Sequence, residues 1–110
     1  MKNSNRKKKE LTDFEVRNDV FILPKELRTT AEPYIPRDIT IVDDNNHEPK
    51  ICRTVFYRIN DMRLLYERHL SRAGDVVGYE MRNGVLHLSF PRKSMFAYLS
   101  RKPRWETYPR

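Results

Sequence analysis

Few residues in this chain are of a type that does covalent chemistry, and they are scattered. Three histidines, His47, His69 and His87, and one cysteine, Cys52, are the candidates for proton transfer, metal ligation or nucleophilic attack. A hydrolase or metal site needs two or three such groups to converge with carboxylates, and no HxxxH or HxH spacing occurs here. Cys52 lies beside Ile51 at a strand start with no neighbouring general base, which fits a small core residue better than a nucleophile. Asp43-Asp44 runs into Asn45-Asn46 and fits a turn, with at most a weak cation contact. The expectation is no enzyme, no metal and no cofactor. What remains is a set of charged and amide side chains suited to contacts rather than to catalysis.

The distribution of charge supports that direction. Among 110 residues, 22 Lys and Arg stand against 15 Asp and Glu, a formal net charge of +7. Residues 1–10 hold five basic residues and one acidic, a net +4, and from Arg92 onward six basic against one acidic give +5. The intervening 11–91, with 11 basic and 13 acidic, is −2. Flanks of this kind draw a polyanion through counterion release, which is strong, salt-dependent and blind to sequence, or else simply solvate the chain. Residues 1–10, with Arg6, Lys7, Lys8 and Lys9, carry no apolar side chain after Met1 and read as a disordered basic tail. Removal of residues 1–10 should weaken binding to every DNA sequence and flatten its salt dependence. The same "RKKK" fits a nuclear import signal. A lone cysteine excludes an internal disulfide framework and suits a reducing compartment. With no apolar run near about 18 residues, neither a signal peptide nor a membrane span is expected.

These side chains need a scaffold, and the patterning describes one domain over residues 11–92, followed by a basic extension over 93–110. "LTDFEV" reads as a short strand or turn, and Val20 to Leu23 as a strand stopped by Pro24. Lys25 to Ala31 predicts a short helix, with Pro33 and Pro36 holding an extended loop after it. "DITIVD", the turn "DDNNHEP" and a strand from Ile51 to Ile59 form a hairpin. From Asn60 or Asp61 the period changes: Met62, Leu65, Tyr66 and His69 or Leu70 share a helical face, ending at Gly74. Val76 to Met81 and Val85 to Phe90 flank Asn83-Gly84, the dipeptide that best tolerates the positive φ angles of a type I′ turn. Phe14, Phe21, Tyr57, Tyr66, Tyr79 and Phe90 are spaced as core. Trp105 and Tyr108 could pack back on the domain from its irregular end. The resulting fold class is mainly β with two short helices, a single-domain open β-barrel.

Several stretches carry a resemblance to a known family. "LTDFEVRNDVFILPKEL", "RDITIVDDNNHEPKICRTVFY" and "LLYERHLSRAGDVVGYEMRNGVLHLSF" resemble, in order and spacing, the plant B3 DNA-binding domains, from about Leu11 to Arg92. The resemblance implies a seven-stranded pseudobarrel that contacts the major groove of double-stranded DNA through two arms, in a nuclear transcription regulator. By position, Arg17 and Asn18 fall in the first arm, and Lys50, Arg53, Arg58 and Asn60 on or near the second. Two departures stand out. Asp61-Met62 replaces the family's Gly-Trp at the helix start, and the stretch between Lys50 and the helix is shorter, which stunts the second arm. Alternatives are a B3-like fold kept as a protein-interaction module, and an AbrB-like swapped-hairpin dimer, to which "VFILPKELR" and the "AGDVVGYEMRNGVLHLSF" hairpin are also similar. The B3-type barrel closes as a monomer, whereas the swapped hairpin needs two chains.

Overall fold

The computed structural model describes residues 6–28 and 35–94. Seven strands form one curled, half-barrel sheet accompanied by two short helices. In chain order these are β1 (Lys7–Glu10), α1 (Asp13–Asn18), β2 (Phe21–Ile22), a 3-10 turn (Lys25–Leu27), β3 (Arg37–Asp43), β4 (Glu48–Val55), β5 (Arg58–Ile59), α2 (Arg63–Arg68), β6 (Val76–Arg82) and β7 (Val85–Ser89). The spatial order is β1-β6-β7-β3-β4-β5-β2. Every pairing is antiparallel except that of β3 with β7, where Thr40 to Asp43 run alongside Val85 to Leu88.

Alternation along these strands builds the core. Ile41, Cys52, Ile59, Val77, Tyr79, Leu86 and Leu88 all point inward, where they meet Val16 of α1 and Leu65 and Tyr66 of α2. Each fully buried large side chain contributes roughly 1.5–3 kcal/mol of transfer free energy. Of the aromatics expected there, Phe21, Tyr66, Tyr79 and Phe90 are buried and Tyr57 is packed against the cluster. Phe14 is not, being 45% exposed.

Several local features differ from the sequence reading. Residues 7–10 are an edge strand rather than part of a disordered tail, because Lys7 to Glu10 pair in register with Tyr79 to Val76. Lysine is a common residue on an edge strand, where its charge discourages pairing with another chain. "DFEVRN" is helix α1, opened by a capping box in which Thr12 accepts from the Glu15 amide and the Glu15 carboxylate accepts from the Thr12 amide. Only the 3-10 turn Lys25–Leu27 forms at the helix expected over Lys25 to Ala31, whose remainder past Arg28 lies outside the described residues, as does Pro33. The expected single strand Ile51 to Ile59 is broken by a two-residue turn at Phe56-Tyr57. Trp105 and Tyr108 also lie outside the described residues.

Helix α2 buries the expected face, Met62, Leu65, Tyr66 and His69, but stops before Gly74. Its end is a Schellman motif with Leu70 in the left-handed region (φ 52°), the Ser71 amide donating to Tyr66 O and the Leu70 amide to Glu67 O. Gly74 (φ 95°) serves the corner that follows, where its amide donates to Leu11 O while the Leu11 amide donates to Asp75 O. The corner therefore fastens the end of β1 to the start of β6. Asn83 and Gly84 take φ 51° and 78°, as the hairpin turn requires.

A side-chain clasp joins the two sheet edges. The Glu15 carboxylate, fully buried, accepts from the Ile22 amide of β2 at 2.7 Å and from Lys9 Nζ of β1 at 2.5 Å. Lys9 Nζ also donates to Ile22 O at 3.1 Å and lies 4.9 Å from the centroid of Phe21. The amide and carbonyl of Ile22, which lack a ladder partner on this side, are thus satisfied by a buried ion pair that bridges β1 and β2.

Candidate nucleic-acid interface

The first expected arm is built on α1. Phe14, Arg17 and Asn18 are spaced i, i+3, i+4 and therefore share one face of the helix, opposite the buried Glu15 and Val16. The helix ends at Asp19, in the left-handed region (φ 58°). Asn18 Nδ2 donates to Phe14 O at 2.9 Å, and Arg17 pairs with Asp13 at 3.0 Å in full view of solvent.

The second expected arm is the β4–β5 hairpin. Val55 pairs with Arg58, and the Asn60 amide continues the ladder by donating to Arg53 O at 2.9 Å. Opposed residues of an antiparallel pair project to the same side, so Arg53, Val55, Arg58 and Asn60 share the outer face of the hairpin, joined by Ile51. Arg53 is held by Asp38 on β3 at 3.3 Å, again an exposed pair. Lys50 lies elsewhere, because the two-residue period puts it with Cys52 and Thr54 on the inner face. Burial pushes the Cys52 thiol above its ordinary pKa, the Lys50 charge partly opposes this, and Asp61 reinforces it. The thiol is thus a poor nucleophile, and it sits in the core as expected.

One contact unites the two arms. The Arg58 guanidinium lies 5.1 Å from the centroid of the Phe14 ring. Because β5 pairs with β2, which follows α1 directly, the outer face of the hairpin abuts the exposed face of the helix. The Phe14–Arg58 contact thus sets the face of α1 that carries Arg17 and Asn18 beside the outer face of the hairpin that carries Arg53, Arg58 and the half-buried Asn60.

At the hairpin tip stands a residue the sequence reading did not single out. Phe56 is 59% exposed, and both Phe56 and Tyr57 have positive φ, 52° and 62°. A two-residue turn in a right-twisted hairpin requires these angles, normally supplied by Asn-Gly. Bulky residues there cost on the order of 1–3 kcal/mol each. Tyr57 is fixed by the Leu23 amide, which donates to its carbonyl at 2.8 Å, and by Arg28, 5.1 Å from its ring centroid. Spacing alone could not separate Phe56 from the core aromatics, because it follows a run of alternating residues and carries no turn signature.

Two of the four described basic residues of the expected tail are engaged within the fold. Arg6 bonds Asp44 and approaches Glu80, and its stem covers Gly78, where an added Cβ would sit 3.1 Å from Arg6 Cδ. Lys9 belongs to the clasp. Lys7 and Lys8 are exposed.

The histidines support the turn between β3 and β4. Asp43, fully buried, accepts from Arg68 at 3.0 Å, lies 2.7 Å from His69 Nε2, and receives the Asn45 amide. His69 stacks on Phe90, with 4.4 Å between ring centroids. Asp44 lies 2.9 Å from His87 Nδ1. Burial alone would raise the Asp44 pKa, but its bonds to His87 and Arg6 outweigh burial and hold it below the ordinary value. Among the described residues, no group of three His, Cys, Asp or Glu side chains is placed to hold a metal, and no helix is long and apolar enough to cross a membrane. Protein-family models give no match to this chain, and no curated protein matches it.

Proposed function

We propose that this chain binds double-stranded DNA with sequence preference, in the manner of the plant B3 domains it resembles, and acts as a nuclear transcription regulator. The observation that carries this reading is the Phe14–Arg58 contact, which sets the α1 face bearing Arg17 and Asn18 beside the hairpin face bearing Arg53, Arg58 and the half-buried Asn60. Arginine and asparagine are the side chains that make bidentate contacts with guanine and adenine edges in the major groove. The carboxylates on Arg17 and Arg53 do not oppose the reading. Exposed pairs of this kind are worth about 0–1 kcal/mol, less than a good bidentate base contact at about 1–3 kcal/mol, so DNA can displace them. They lower attraction to phosphate in general and leave specific contacts favoured.

The test is selection from randomised duplexes with the full chain and with a variant in which Arg17, Arg53 and Arg58 are all alanine. The native chain is expected to recover a motif, and the triple variant to lose at least tenfold in discrimination between that motif and random duplex. An unchanged preference in the variant, or no motif with the native chain, contradicts the proposal.

A further inference from the structure

We infer that Phe56 reads the 5-methyl group of a thymine in the major groove, a specificity-determining contact that rests on the DNA-binding reading above. Its ring stands in solvent at the tip of the β4–β5 hairpin, two residues before Arg58 and beside the face that carries Arg53 and Asn60. In the strands, residues of the same face serve either core or patch, whereas the turn projects Phe56 beyond both. The backbone beneath it is rigid, because Tyr57 is tied to Leu23 and packed on the core, so little ordering remains to be done on binding.

The positive φ at Phe56 makes the choice of residue informative. An asparagine would fit this turn with less strain and would keep an apolar ring out of water. A strained, exposed aromatic contributes nothing visible to the fold, which directs attention to a contact made outside it. Within the major groove, the one apolar group that distinguishes bases is the thymine methyl, and phenylalanine is among the side chains that meet it. Arginine, asparagine and phenylalanine on one patch can thus address guanine, adenine and thymine.

The experiment uses the duplex recovered by selection, with each thymine replaced in turn by deoxyuridine, which lacks only the methyl. The native chain is expected to lose about fourfold in affinity at one thymine, the effect of burying a single methyl group. Phe56→Asn should bind the thymine and uracil duplexes equally, while its unfolding midpoint in urea stays equal to or above that of the native chain. Failure of the native chain to bind any duplex would sink the DNA-binding reading itself. A native chain that binds the selected duplex but is indifferent to every thymine methyl, or a Phe56→Asn chain that keeps the same thymine preference, overturns this inference alone. The latter result would leave the ring to a protein partner.

Discussion

Arg58 illustrates how a charged side chain can be both exposed and ordered. Its guanidinium is held over Phe14 by attraction to the ring face, an arrangement worth about 0.5–1 kcal/mol at an exposed site, so it enters a complex with fewer rotamers to lose. Tyr79 shows the same economy, since its hydroxyl donates to the exposed Glu26 carboxylate and ties β6 to the 3-10 turn. Burial, followed by that bond and the Glu26 charge, pushes the Tyr79 pKa from 10.0 up to about 12. The Glu26 pKa is lowered, chiefly by the same bond. For tyrosine a raised native pKa means the folded state retains its proton longer than the unfolded chain. The contribution is fully present below pH 10 and is lost as the pH rises toward about 12. Tyr79→Phe should therefore be less stable than the native chain at neutral pH and show a smaller loss of stability between these values. Urea unfolding across that range checks it, and an identical alkaline loss in the variant would assign the effect to another group.

Among the elements, the edge strand β1 matters most to what the basic N-terminal segment can do. Residues expected to be a loose, sequence-blind DNA tail instead complete the sheet, so truncation through residue 10 removes β1 as well as charge. The clasp makes this quantitative. Lys9→Ala would leave the Glu15 carboxylate buried without its cation, and removing one partner of a buried pair costs about 3–5 kcal/mol. Lys8→Ala, on an exposed neighbour, should change stability by no more than about 0.5 kcal/mol. Equal unfolding midpoints for the two variants would show that the clasp does not hold the edges together. The sequence reading fared best where local chemistry decides alone. Asn83-Gly84 specifies its turn without help from the rest of the chain, and the apolar spacing of Met62, Leu65, Tyr66 and His69 identifies the buried face of α2. Elsewhere tertiary pairing overrode local preference. Three lysines form a strand because β6 offers them an edge. Leu70 takes the left-handed cap expected of Gly74 because the Tyr66 and Glu67 carbonyls are satisfied there. Phe56-Tyr57 bends where no glycine announces a turn. That unseen turn also bears on the site, since it sets Arg58 opposite Val55 and Asn60 opposite Arg53 and so brings them to one face of the hairpin.

Across the whole molecule, charge and shape are separated. The central segment is slightly acidic and the formal excess of positive charge lies in the flanks, yet the residues proposed to read bases lie on α1 and the β4–β5 hairpin of that segment. The seven strands of the described residues form one curled sheet whose edge strands, β1 and β2, are bridged by the Lys9–Glu15 clasp. The most direct measurement is amide chemical-shift mapping by NMR during titration with a selected duplex. Shifts should concentrate at Arg17, Asn18, Arg53, Phe56, Arg58 and Asn60, with β6 and β7 nearly silent. Perturbation centred on β6 and β7, or none at all at stoichiometric duplex, would contradict a DNA-binding patch built by α1 and the β4–β5 hairpin.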